Sequence, residues 1–134
     1  MKTSSKKGKG RRLQNFVRDN LVMSFPSLEP DDIKAAIMGE SGEDIKLSPA
    51  AKRLIPFSFE CKNQERLNIW QSLQQAEDNC EDREPVLVFK RNRTKTYVAI
   101  EFTKFLEFIG SNNVKRTGNK TGKRNKIAKR PSKV

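Results

Sequence analysis

The 134-residue chain contains no histidine. That excludes His-based triads, His–Cys zinc sites and His-metal nuclease motifs, so any catalysis must run on carboxylates, Lys, Ser, Tyr or Cys. The residues best spaced for chemistry are Asp44, Glu60 and Lys62. Glu60 and Lys62 lie in Ile55-Pro56-Phe57-Ser58-Phe59-Glu60-Cys61-Lys62, whose period-two alternation predicts a strand. Ile55, Phe57, Phe59 and Cys61 share one face, a core face, and Pro56, Ser58, Glu60 and Lys62 share the other. On a wet face the Glu60–Lys62 pair is an ordinary ion pair worth well under ~1 kcal/mol. On a buried face it is out of place. Upstream, the Gly-rich turn Gly39-Glu40-Ser41-Gly42 delivers Asp44 to the start of a short strand, Ile45 to Ser48, and Ser48 to Lys52 turn the chain back. If the two strands pair, Asp44 approaches Glu60 and Lys62.

Asp, fifteen residues, then Glu-x-Lys resembles the signature of the PD-(D/E)xK nuclease superfamily. The layout from Gly10 to about Ile109 is similar to the archaeal-type Holliday junction resolvases and small phage-encoded relatives. The resemblance implies a restriction-endonuclease-like α/β fold, a mixed central sheet flanked by helices. It also implies a metal-dependent endonuclease using Mg2+ or Mn2+. Asp44, Glu60 and the backbone carbonyl of Cys61 would be the ligands, because facing carboxylates suit a hard divalent ion. The ion would polarise a phosphodiester and lower the pKa of a bound water, while Lys62 orients that water or stabilises charge developing on phosphorus. Gln71, on the following helix, would reach toward the site or a substrate phosphate. Two features depart from the pattern. Glu43, not Pro, precedes Asp44, and the first helix offers Gln14 or Asp19 in place of the resolvases' metal-binding glutamate.

Charge is distributed unevenly. Lys and Arg number 28 against 16 Asp and Glu, a net of +12; residues 1–12 hold six basic groups and residues 111–134 nine, with no acid in either stretch. The body between them is slightly acidic. Basic ends on such a body point to a polyanion, and without an amphipathic stripe that polyanion is nucleic acid rather than a membrane. Two cysteines, Cys61 and Cys80, make no disulfide framework, and no apolar run reaches the length of a membrane span. A cytoplasmic setting follows, in a phage-infected or prokaryotic host.

Along the chain, residues 1–10 read as a disordered basic tail, 11–110 as the nuclease-like domain, and 111–134 as a second disordered basic tail. Arg11 to Phe25 predicts a helix with Leu13, Phe16, Val17 and Leu21 inward and Arg11, Arg12 and Arg18 outward. Ile33 to Met38 is a first strand. A helix from about Asn63 to Asn79 places Leu67, Trp70, Leu73 and either Ala76 or Glu77 inward. Pro85–Lys90 and Thr96–Ile100 form a hairpin whose tip carries Lys90, Arg91, Arg93 and Lys95. These four, with Arg11, Arg12 and Ser41, are the candidate DNA contacts. Phe102, Phe105, Leu106 and Ile109 predict a short helix that closes the core and ends at Gly110.

The expected function is a metal-dependent endonuclease acting on DNA, with branched DNA the favoured substrate. A homodimer is expected by analogy with the resolvases. A non-catalytic basic nucleic-acid-binding protein would explain the tails equally well, but not the order of Asp44, Glu60 and Lys62. A restriction-like or intron-encoded nuclease would need a sequence-reading element, for which no spare helix or loop is visible.

Overall fold

A computed structural model describes residues 3–37 and 39–117, with side chains described for residues 6–37 and 39–110. The chain divides into two units, Met1–Ala99 and Ile100–Val134. The first is a mixed α/β body. Its elements are α1 (Thr3–Ser24), β1 (Ile33–Ala35), β2 (Ile45–Leu47), α2 (Pro49–Leu54), β3 (Phe57–Asn63), α3 (Ile69–Asn79), β4 (Glu84–Lys90) and β5 (Tyr97–Ala99). β1 and β2 form an antiparallel hairpin, with Ile33 opposite Leu47 and Ala35 opposite Ile45. In the second sheet β3 runs parallel to β4, with Glu60 opposite Leu87, and β4 runs antiparallel to β5, with Phe89 opposite Tyr97. α3 is the crossover that a parallel pair requires.

Ile33, Ile45, Ile55 and Leu87 are fully enclosed, each burial contributing roughly 1.5–3 kcal/mol. They come from both sheets and from the end of α2, so one core joins the Asp44-bearing hairpin to the Glu60-bearing strand. The hairpin is also fastened by its backbone: Asp44 N–H donates to the Phe59 carbonyl at 3.0 Å and Ala36 N–H to the Asp44 carbonyl at 2.8 Å. Ser48, expected within a turn, caps α2 by accepting Ala51 N–H at 3.1 Å. Its own hydroxyl donates to Asp32 at 2.7 Å.

Several elements differ from the sequence expectation. α1 starts at Thr3, so residues 6–10 are helix rather than loose tail. They are held because Lys9 is buried and pairs with Glu65 at 3.7 Å, while its carbonyl accepts the Asn63 amide at 3.2 Å. Arg18 does not face solvent freely; its guanidinium donates to the carbonyls of Ile33 at 2.8 Å and Pro30 at 2.7 Å. Leu13 and Val17 are buried as expected, but Phe16 is exposed. α3 starts at Ile69 because β3 continues to Asn63 in register with Lys90. Its buried residues are Ser72 and Ala76, the latter one of two expected at that end of the stripe, and Trp70, expected in the core wall, stands 82% exposed.

The second unit contains α4 (Phe102–Thr117). The helix passes through Gly110 instead of ending there. Phe102, Phe105, Leu106 and Ile109, expected on the inner face of this helix, are exposed. Most of the expected C-terminal tail, residues 118–134, lies outside the described residues.

Candidate active site

Asp44, Glu60 and Lys62 line one cavity of about 750 Å³. Two glycines shape the turn that delivers Asp44. Gly39 and Gly42 have φ of 87° and 92°, the left-handed region that costs glycine nothing. Lys46 spans the turn, its ammonium donating to the Ser41 carbonyl at 2.8 Å. The Asp44 carboxylate then reaches β3 and accepts the Cys61 N–H through Oδ2 at 2.7 Å. Glu60 is 3% exposed, so its strand face is buried and the Glu60–Lys62 pair is not a wet surface pair. Lys62 Nζ sits 3.7 Å from Glu60 Oε2. On the other side Asn79, the last residue of α3, donates to Glu60 Oε1 at 3.3 Å.

The electrostatics follow from this crowding. Desolvation, then the charge of Asp44, pushes the Glu60 carboxyl up to about 7, against the lowering pull of Asn79 and Lys62. Desolvation also raises Asp44, opposed first by the Cys61 N–H and then by Lys62 and Lys46. Two desolvated carboxylates with too little positive charge beside them are a fitting place for a divalent cation. The donors are hard oxygens. Burial pushes the Cys61 thiol up and keeps it neutral, so the soft ligand that zinc prefers is missing. Among the described residues no group of three or more His, Cys, Asp or Glu could hold a metal. The protein therefore offers two carboxylates, and backbone carbonyls, water or substrate oxygens would complete a shell, as Mg2+ commonly accepts.

The other expected site residues are spread more widely. Gln71 is exposed and does not line the cavity; its backbone N–H donates to the α3 cap, Asn68, at 3.0 Å, and Gln75, one turn on, reaches the cavity wall. Of the two α1 candidates, Gln14 lines the cavity, whereas Asp19 is exposed and paired with Arg18 at 3.2 Å. Arg11 borders a smaller recess that also reaches Asp44 and Gln14, and Arg12 borders an apolar groove along α1 with Lys90 and Lys95. Ser41 is exposed at the glycine turn. Arg91, Arg93 and Lys95 are exposed in the β4–β5 turn, where Arg93 adopts a φ of 65°.

Three further groups escaped the sequence reading. Lys9 lines the cavity from α1, and Asn79 holds Glu60. The third is the buried Glu43 carboxylate, which accepts the Ser58 hydroxyl at 2.6 Å and pairs with Arg83. Arg83 also donates to the Phe57 carbonyl at 3.0 Å, and its Nε is buried without a partner. The available signal was an isolated arginine in the otherwise acidic stretch Glu77 to Glu84. The residue that departs from the motif's proline is thus an anchor for the loop carrying Asp44.

No curated protein and no solved structure matches the chain. Among the described residues no helix is long and apolar enough to cross a membrane. One family model, described as "Phage putative PDDEXK endonuclease", matches residues 32–130. That span is well over half of the chain and contains Asp44, Glu60, Lys62 and the Glu43–Arg83 anchor. The chain belongs to this phage PDDEXK endonuclease family.

Proposed function

We propose that this protein is a divalent-metal-dependent endodeoxyribonuclease that hydrolyses phosphodiester bonds, selectively in branched DNA. The observation that carries the reading is the convergence of Asp44, Glu60 and Lys62 on one cavity, with both carboxylates raised by desolvation. Asp44, Glu60 and the Cys61 carbonyl would hold Mg2+ or Mn2+, which when bound polarises the phosphodiester and acidifies an attacking water. Asn79 and the Cys61 N–H fix the orientation of the two carboxylates. Lys62 keeps an ammonium beside Glu60, where it can neutralise charge that builds on a phosphoryl oxygen. Lys6 and Arg66, both exposed, line the same cavity and make its rim attractive to a polyanion. The protein acts in the host cytoplasm. It acts as a homodimer, since a four-way junction presents paired scissile strands.

The test is cleavage of a synthetic four-way junction beside linear duplex and single strand, with Mg2+, with Mn2+ and with EDTA. Cleavage should require the metal, favour the junction, and vanish in Glu60→Ala. A Glu60→Ala protein of full activity would refute the assignment of the site.

A further inference from the structure

The metal-site cavity does not end at Lys62. Gln64, Glu65 and Arg66 form its outer wall and are equally a wall of a second recess of about 500 Å³. On the far side of that recess stand Phe89 and Tyr97, cross-strand partners with ring centroids 6.2 Å apart. Lys90 and Arg91 border it at the start of the β4–β5 turn. A cross-strand aromatic pair is ordinarily a device of sheet stability. Here the pair is lopsided: Phe89 is half-buried, whereas Tyr97 is 54% exposed on the outermost strand of its sheet. Glu65, the acid in the wall, is already engaged. Its carboxylate accepts the Asn92 N–H at 2.6 Å and pairs with Lys9 at 3.7 Å. Arg66, Lys90 and Arg91 therefore leave the recess cationic.

We infer that the recess beyond Arg66 is a binding site for an unpaired nucleotide, with its base on Tyr97 and its phosphates on Arg66 and Arg91. The inference rests on the nuclease reading and narrows its substrate to DNA with unpaired bases next to the cut. An exposed aromatic ring flanked by cations is how proteins hold single strands, because any base offers a π-face while the cations follow the backbone. A base inside a duplex is already stacked on both faces and cannot use the ring. A strand that leaves the helix beside the metal site can, since the two recesses share a wall. Flaps, forks and gapped duplexes supply such bases at the branch, and a four-way junction supplies them where the pairs at its branch point open.

The experiment measures binding in EDTA, where no cleavage occurs, of the full chain to a fluorescent oligo-dT and to a blunt duplex of equal length. Tyr97→Phe should bind both as the wild type does. Tyr97→Ala should weaken single-strand binding by about 5- to 150-fold, the range for removal of one base–aromatic stack, with little change on the duplex. Tyr97→Val, which keeps a strand-forming side chain without the ring, should repeat that loss and so separates stacking from any weakening of β5. A 2-aminopurine placed in the single strand should be quenched by the wild type and not by either ring-less variant. Equal losses on both substrates, or wild-type single-strand affinity in Tyr97→Val, would overturn the inference. The nuclease reading fails separately, if the wild type cuts none of the DNA substrates with Mg2+ or Mn2+.

Discussion

Arg83 and Glu43 should be the most stability-sensitive charged residues near the site. Their side chains are 7% and 9% exposed, so solvent screens the pair little. Removing one partner of such a pair leaves a buried uncompensated charge and costs about 3–5 kcal/mol. A small domain has only ~5–15 kcal/mol in total. The two truncations should differ in cost. Arg83→Ala leaves a carboxylate that still accepts from Ser58. Glu43→Ala leaves a permanently charged guanidinium whose Nε already lacks a partner. Glu43→Ala should therefore be the more damaging. The assay is urea unfolding followed by far-UV circular dichroism, because Trp70, 82% exposed, is a poor fluorescence reporter of the core. The midpoint should fall with an unchanged slope. Losses below ~1 kcal/mol in both variants, the value of a surface pair, would refute the anchor. So would a double-mutant cycle showing no coupling.

Three other outcomes are expected. Asp44→Ala and Lys62→Ala, like Glu60→Ala, should each reduce cleavage by at least ~10²-fold while DNA binding in EDTA stays within about twofold of wild type; an active Lys62→Ala would remove the lysine from the mechanism. Because the folded Glu60 carboxyl is raised from 4.5 to about 7, the metal-free native state holds a proton there that the unfolded chain has shed. Metal-free stability should then fall as pH rises across that window. Mg2+ affinity, followed by calorimetry, should climb by up to about tenfold per pH unit and level off above about 7; a flat profile would contradict the raised carboxyl. Deleting residues 118–134, which carry seven basic residues and no acid, should make the log–log salt dependence of DNA binding shallower by ~0.9 for each phosphate that this segment neutralises, while any preference for branched over linear DNA persists; an unchanged slope would mean that this segment does not touch DNA.

What could be read from the sequence was what local periodicity encodes. Period-two alternation from Ile55 to Lys62 put Glu60 and Lys62 on one face, and the glycines at 39 and 42 marked the turn that carries Asp44. The order of helices and strands in the first unit followed from the same patterns, apart from α2, whose residues were expected to form a turn. What could not be read depended on distant partners. Lys9 looks like a residue of a solvated tail until Glu65 and Asn63 are beside it. Trp70 looks like core until Ser72 and Ala76 are seen to be the buried residues of α3, which leaves Trp70 82% exposed. Small side chains on that face let the crossover helix lie close to its sheet, and closeness brings Asn79 within reach of Glu60. The stripe of α4 has helical spacing, yet spacing alone does not say what, if anything, covers it.

The position before Asp44 shows why a short motif tolerates variation. Proline there would restrict one backbone dihedral and contribute no hydrogen bond. Glu43 instead reaches into the body and is gripped by Ser58 and Arg83, from β3 and from the loop before β4. Asp44 itself is tied on both sides through its backbone to Ala36 and Phe59. Either device limits the freedom of a loop whose two glycines would otherwise let the carboxylate wander. Limiting that freedom matters because Asp44 and Glu60 repel each other when no cation is present, and a loose loop would swing Asp44 out into water. Rigidity here keeps an electrostatically unfavourable pair together. Burial first, and the charge of Asp44 second, raise the Glu60 carboxyl, and a bound cation would offset both.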